Sequence, residues 1–111
     1  MGPEFSTGSA PFQDRQLHAA IAELENAVIA LFWEGREPRL GTLTVTLPDR
    51  SSSPLLGDRD RQLGLILGAH IAAITGRMAL VSTNLPLSIG EGAGKVLLGL
   101  VREIISCDGE D

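Results

Sequence analysis

Residues 63–74 constrain the fold most, because a helix built from them has no polar face. His70 is the only ionisable side chain among them. A surface helix of a small domain normally combines one apolar stripe with one polar face. The stripe that we expect to face a sheet holds the larger side chains, Leu63, Ile66, Leu67, His70, Ile71 and Ile74. The opposite face still carries Leu65, Ala69, Ala72 and Ala73, so this helix needs cover on two sides.

Small residues four apart, Gly64, Gly68 and Ala72, would let a second backbone approach this helix closely. Each helical glycine costs roughly 1 kcal/mol relative to alanine, which indicates a packing reason for them. A second apolar helix is predicted over residues 95–106. Large aliphatic side chains left in water forgo roughly 1.5–3 kcal/mol each, and patches of them mark interfaces. We therefore predict a protein partner on a face made of Leu65, Gly68, Ala69 and Ala72. In the alternative, both helices lie between layers of the same domain.

The strand signals lie mainly before this helix. Residues 41–47 alternate leucine or valine with threonine, which predicts a strand with a solvated threonine face. Residues 78–83 are apolar on both faces, as in a central strand that is covered on both sides. Residues 16–33 are ambiguous: the 3–4 spacing of their apolar residues favours a helix, whereas their composition also fits two strands that turn near Glu25 and Asn26.

The predicted fold class is α+β, with a small, mostly antiparallel sheet and two helices packed on it. Strands come first, followed by helix, strand and helix. Residues 1–10 are small, polar and aperiodic, which is typical of a vector-derived or disordered tail. Residues 11–107 are predicted to form a single domain, and residues 108–111 an acidic tail.

Composition excludes several classes of function. The chain has 111 residues, with 9 basic and 14 acidic residues and a net charge of −5, so we expect no nucleic-acid partner. No apolar run reaches the roughly 18 residues that cross a bilayer, so we expect no membrane partner. The single cysteine, Cys107, cannot form an internal disulfide, which fits a reducing compartment.

The sequence shows no pattern typical of catalysis, of a cofactor site or of a metal site. The glycine-rich residues 90–95 lack the spacing and the Ser or Thr of a phosphate-binding loop. Neither His18 nor His70 has a second ligand at metal spacing. A small enzyme that uses His70 or Cys107 is the least favoured hypothesis. Arg36, Arg39 and Arg50 form either a basic edge for an acidic partner or an ordinary solvated loop.

Four segments carry a resemblance to a known family: LENAVIALFWEG at 24–35, LGTLTVTL at 40–47, SPLLGD at 53–58 and MALVSTNL at 78–85. Their order resembles that of proteasome assembly chaperone 4, and the related chaperone 3 is the alternative. Gly64 and Gly68 depart from that pattern, and none of the four segments carries catalytic residues.

The resemblance implies antiparallel strands covered by two helices, with residues 16–33 as a β-hairpin. It implies a non-catalytic chaperone of 20S proteasome α-ring assembly, in the cytoplasm or also the nucleus of a eukaryote, without ATP or metal. The chain would form a heterodimer with a sister chaperone, or a homodimer when isolated, and would bind proteasome α-subunits. Arginine-bearing loops are the candidate α-subunit contacts, at Arg36, Arg39, Arg50 and Arg59. A generic α/β dimerisation scaffold without a proteasome link is the alternative function.

Overall fold

Six strands and two helices make up the fold in the computed structural model, which describes residues 4–49, 51–57, 61–85 and 92–108. The strands are β1 (Ser6–Phe12), β2 (Arg15–Glu23), β3 (Ala27–Glu34), β4 (Thr42–Thr46), β5 (Ser52–Leu56) and β6 (Met78–Asn84). The helices are α1 (Arg61–Thr75), between β5 and β6, and α2 (Ala93–Asp108), after β6. Neither of these described helices is long and apolar enough to cross a membrane.

The strands form one mixed sheet in the order β1-β2-β3-β6-β4-β5. Every neighbouring pair is antiparallel except β3 and β6, which run parallel. The α+β class and the mostly antiparallel sheet are therefore confirmed. The details differ from the prediction, because a strand, β1, is added at the start, whereas β6 lies inside the sheet, as its two apolar faces predicted.

Residues 16–33 form a hairpin, so the helical alternative is wrong. β2 and β3 pair antiparallel, and the backbone N–H of Leu24 donates to the carbonyl of Ala27 at 2.7 Å across the turn. β3 is rich in branched and aromatic side chains that fit a pleated, buried surface. β3 is hydrogen-bonded to a neighbouring strand on both of its edges, and this pairing outweighs the helix propensity of the alanine-rich segment before it.

Residues 6–10, which we expected to lie outside the fold, belong to the edge strand β1. β1 pairs along its whole length with β2, and alternate residues are exposed. A Cβ built on Gly8 would lie 3.3 Å from the side chains of Leu100 and Ile104 in α2. The small residues of this segment therefore allow close packing rather than disorder. At the other end, α2 includes Asp108, and residues 109–111 of the predicted acidic tail lie outside the described residues.

Both helices pack on the same face of the sheet, with α1 over β4 and β6 and α2 over β1 and β2. The core lies between the helices and this face. Strand alternation places Leu17, Phe32 and Val81 there, fully buried. From the helices, Leu67, Ile71, Leu97 and Val101 complete the same core.

The orientation of β4 is the reverse of what the sequence predicted, and that of α1 differs in part, since Leu67 and Ile71 face the core as expected but Ile66 and Ile74 are exposed. The three threonines of β4 are buried beneath α1 rather than solvated. A Cβ built on Gly64 would lie 2.9 Å from the Oγ1 of Thr44, and one built on Gly68 would lie 2.5 Å from the Oγ1 of Thr46. The glycines therefore face the chain's own sheet, because the helix backbone and the threonine side chains occupy the space that larger residues would need.

Candidate functional site

The opposite face of the sheet carries no described helix, and we call it the open face. Alternation along each strand assigns its residues, since the helix-facing positions are fixed by Gly8, Thr44 and Thr46. At its centre it presents half-buried aliphatic side chains from three of the four inner strands, β3, β4 and β6: Ile29, Leu31, Leu43, Val45, Met78 and Leu80. On β5, Leu55 lies at a register shift against β4 and has half of its surface exposed.

Charged residues are absent from the described strand positions of the open face. Six strands about 4.8 Å apart and some 20 Å long give this face a projected area on the order of 500 Å². The aliphatic patch occupies only the centre of this area, and exposed apolar patches on soluble proteins often mark interaction sites. The usual cover for such a face is a second sheet, packed about 10 Å away.

One end of the open face is closed by an aromatic pair. His18 on β2 lies directly opposite Trp33 on β3, and their rings stack with centroids 5.4 Å apart and planes 21° apart. The Nδ1 atom of His18 is 2.9 Å from the Oγ of Ser9 on β1. The indole Nε1 of Trp33 is buried and has no hydrogen-bond partner among the described residues. The rings therefore form a mainly apolar border to the aliphatic centre.

The four residues predicted for a dimer face do not share one exposed surface. Gly68 and Ala72 are buried against the chain's own sheet, whereas Leu65 and Ala69 are half-buried. The exposed apolar side chains of α1 are instead Ile66 and Ile74, at 50% and 48% exposure. They make a narrow second apolar stripe in the helical layer, on the side of the molecule away from the open face.

The predicted arginine contacts fall partly inside the described residues. Arg36 and Arg39 are exposed in the loop between β3 and β4, where they line a shallow hollow of about 350 Å³ together with Glu34 and Glu37. Arg50 and Arg59 lie outside the described residues. The loop therefore carries both signs of charge and is suited to a polar contact rather than an apolar one.

Potential metal ligands are not clustered among the described residues. No three His, Cys, Asp or Glu side chains among them come together as metal ligands. The Nε2 of His70 is buried without a hydrogen-bond partner, and Cys107 belongs to the last turns of α2. In the β4–β5 turn, the hydroxyl and the amide of Ser51 donate to the Asp49 carboxylate at 2.6 and 2.9 Å. These bonds stabilise the turn and lower the pKa of Asp49.

Sequence reasoning found the surplus of apolar surface but assigned it to the helices. The signal for the open face was present in β3 and β6, which are apolar on both sides. A strand of that kind needs two covering layers, and this chain supplies only one of them in its described residues. The second layer is therefore the place to look for a partner.

No family model matches the chain, and no curated protein is significantly similar to it in sequence. Among solved structures, the chain is similar to a chain of a novel chaperone complex for yeast 20S proteasome assembly. The TM-score is 0.61 at 16% sequence identity, and the match covers 96% of this chain and 93% of the other.

This likeness extends over nearly the whole of both chains, so it describes the complete fold rather than a shared fragment. At 16% identity it shows the fold alone. The chain therefore has the fold of a subunit found in a proteasome assembly chaperone complex, as the four segments of the sequence led us to expect.

Proposed function

We propose that this chain is a non-catalytic chaperone of 20S proteasome assembly that works as one half of a dimer. Its partner is a sister proteasome assembly chaperone of the same fold, and its cargo is one or more proteasome α-subunits of the α-ring. The fold match to a subunit of such a chaperone complex is the observation that carries the proposal. The proposed role implies work in the cytoplasm or nucleus of a eukaryotic cell.

The open face is the proposed dimer surface. Fully burying one aliphatic side chain is worth roughly 1.5–3 kcal/mol, and six half-buried ones line its centre. A stable interface buries about 800 Å² of accessible surface on each partner, which is of the same order as the area of this face. A second sheet placed on it supplies the covering layer that β3 and β6 need.

The loop that bears Arg36 and Arg39 is the proposed contact for an α-subunit, together with Arg50 and Arg59. Arg36 and Arg39 are exposed and lie outside the open face, so they stay accessible when a partner covers that face. Charged groups at the rim of an interface select the partner and speed its association more than they add affinity. Dimerisation and cargo binding therefore depend on different residues.

Native mass spectrometry of the tagged chain, alone and after capture from extract, tests both parts at once. We expect a complex with one further small chaperone, together with proteasome α-subunits in a subset of the particles. Capture of neither class contradicts the proposal. A symmetric homodimer that retains no α-subunit supports the dimerisation scaffold instead.

Paired substitutions test which surface holds the dimer. Leu31→Asp places a charge at the centre of the open face, and we expect it to abolish dimerisation because the buried carboxylate would have no counter-charge there. Ile74→Asp on α1 is the matched control, since it adds the same charge to an exposed aliphatic position in the other layer. Circular dichroism establishes that both variants remain folded. If Ile74→Asp abolishes the dimer and Leu31→Asp does not, the dimer interface lies on the helices and not on the open face.

Arg36→Glu combined with Arg39→Glu tests the cargo contact. We expect the dimer to persist while the α-subunits are lost from the captured complex. Lys95→Glu combined with Arg102→Glu, at exposed positions on α2, controls for the same change in net charge. Equal loss of α-subunits in the control would show that net charge, and not this loop, governs the capture.

A further inference from the structure

The two edges of the sheet differ in how well they are protected against pairing with a further strand. Natural edge strands are usually short, charged, interrupted by proline or bulged. β5 has five residues, contains Pro54 and shifts its register against β4. β1 has seven residues, pairs with β2 without a register shift and carries no charged side chain. β1 is therefore the edge that is better suited to accept another strand.

The hairpin geometry indicates which backbone groups of β1 point away from β2. A two-residue turn joins the two strands, and Gln13 in this turn has a left-handed φ of 58°. In such a hairpin the pair that closes the turn exchanges hydrogen bonds, and bonded and non-bonded pairs alternate from there. Counting back from Phe12, the residues Thr7, Ser9 and Pro11 direct their backbone groups outward, where no described strand lies.

We propose that β1 pairs antiparallel with β1 of a second copy of this chain, about a two-fold axis at Gly8, and we call this contact the edge seam. In this register Thr7 lies opposite Ser9 of the second copy, and their outward N–H and C=O groups exchange hydrogen bonds. Pro11 lies opposite Phe5, whose N–H donates to the Pro11 carbonyl, although proline has no N–H to return. The inference does not depend on the proposed function, because these groups lie in the plane of the sheet and not on its open face.

The side chains beside this edge favour a second copy as the occupant. Phe5 precedes β1 and is 47% exposed, which is a large exposed fraction for an aromatic side chain. Strand alternation places Phe5 and Pro11 on the same side of the sheet, so each phenyl ring would be covered by the proline ring of the other copy. Pairing of two identical strands about a two-fold axis repeats this contact twice and needs no second surface.

The helical layer is compatible with the same axis. Gly8 lies beneath α2, since a Cβ built on it would be 3.3 Å from the side chains of Leu100 and Ile104. Strands about 4.8 Å apart then bring the two α2 helices to roughly the 8–10 Å spacing of packed helices. Arg102 and Glu103 are both exposed in this part of α2, so antiparallel helices bring opposite charges from each copy to the axis.

The edge seam adds one strand to another and covers less surface than a whole sheet face. We therefore expect it to form at higher protein concentration than the open-face dimer. On concentration, the wild type should pass from open-face dimers to larger assemblies. Leu31→Asp, which has no open-face dimer, should pass from monomers to edge-paired dimers.

Analytical ultracentrifugation over a concentration series tests the inference. Ser9→Pro removes an outward N–H and should stop assembly of the wild type at the open-face dimer, while proline on an edge strand leaves the fold intact. Ser9→Ala is the matched control, because it loses the same hydroxyl but keeps the N–H, and it should assemble like the wild type. Circular dichroism establishes that each variant is folded.

Pro11→Ala supplies a second test that does not depend on how well Ser9→Pro folds. The alanine adds the missing outward N–H, which can donate to the carbonyl of Phe5 in the second copy. Assembly should then occur at a concentration lower by roughly fivefold for each added hydrogen bond. Pro11→Ala that assembles no more readily than the wild type contradicts the edge seam.

The remaining outcomes separate the edge seam from the open-face dimer. No assembly beyond the open-face dimer at any concentration, or equal assembly of folded Ser9→Pro and Ser9→Ala, overturns the inference. In both cases a dimer that Leu31→Asp abolishes still supports the proposed function. Conversely, a wild-type dimer that Ser9→Pro prevents and Leu31→Asp leaves unchanged supports the edge seam and contradicts the open-face dimer.

Discussion

Two glycines and two threonines set the distance between α1 and the sheet. The nearest approach joins Gly68 to Thr46, whose Oγ1 also lies 3.0 Å from the Oγ of Ser52. A threonine fixed in this way cannot easily make room for an additional methyl group. The spacing of glycines in α1 therefore records a packing requirement inside the chain and not a docking site.

Gly68→Ala should lower the free energy of unfolding by about 1–2 kcal/mol, because overpacking outweighs the gain in helix propensity. Gly99→Ala, in the exposed part of α2 with no atom near the added Cβ, should instead raise it by about 0.5–1 kcal/mol. Adding Thr46→Ala to Gly68→Ala should restore part of the loss, which a double-mutant cycle in urea measures. If Gly68→Ala stabilises the protein as much as Gly99→Ala does, α1 can move away from the sheet without a cost in free energy.

The Asp49 turn gives a pH-dependent prediction. Because hydrogen bonds from Ser51 lower the pKa of Asp49, this turn contributes stability above the ordinary pKa of a carboxyl group and loses it as pH falls through the lowered value. Ser51→Ala removes the hydroxyl but keeps the amide, so the pKa of Asp49 should rise part of the way to its ordinary value. Carbon-13 NMR titration of the carboxyl group measures the change. Thr7→Ala on β1 should leave it unaltered, and an unaltered value in Ser51→Ala would contradict the prediction.

At the scale of elements, β1 is the strand that a sequence-based reading most easily discards. It covers the outer edge of β2, and its Gly8 lies beneath two side chains of α2. Removing β1 would expose both the β2 edge and the apolar side of α2. Stability at this end of the sheet therefore depends on a segment with almost no large side chains.

Deletion of residues 1–12 should lower the thermal midpoint strongly or cause aggregation, since Leu100 and Ile104 lose their cover and the edge of β2 is unpaired. Deletion of residues 1–5 removes no strand residue and should change stability by no more than roughly 0.5 kcal/mol. Differential scanning fluorimetry compares the two. A normal midpoint after deletion of residues 1–12 would mean that β1 is not needed for the fold.

Strand periodicity and turn residues predicted where several elements lie, but not which way they face. Residues 41–47 gave the position of β4 to within a residue at each end, yet its threonine face is buried and its leucine and valine face is open. An alternating strand can bury either of its two sets of side chains. The set that is buried depends on the helix that packs on the strand, and here only the glycines of α1 indicate that the threonines face it. The same ambiguity hid the candidate site, because the apolar pattern of β3 and β6 does not say which chain supplies the second layer.

For the whole molecule, the structure separates an uncharged face from a charged loop. The open face has no charged residue at its described strand positions, whereas the loop after β3 carries Arg36, Glu37 and Arg39. Salt screens interactions between exposed charges and leaves apolar burial largely intact. The two proposed contacts should therefore respond differently to ionic strength.

Raising the salt concentration from about 0.05 M to 0.5 M should change the dimer dissociation constant by less than about twofold. Over the same range, binding of α-subunits should weaken several-fold, since it is assigned to the arginine loop. Ultracentrifugation of the dimer and pull-down of α-subunits at both concentrations provide the comparison. A dimer that dissociates in high salt would argue for a charged interface instead.

The position of β6 has a consequence for the order in which this chain can fold. β3 and β4 touch the same strand from opposite sides, so the β1–β2–β3 meander and the β4–β5 hairpin stay separate until residues 78–84 arrive between them. On the ribosome, domains form from the amino terminus as synthesis proceeds, and here β6 is made after both groups of strands that it joins. A nascent chain that stops short of β6 therefore holds two unattached groups of strands, and the open face becomes continuous only when β6 has joined them.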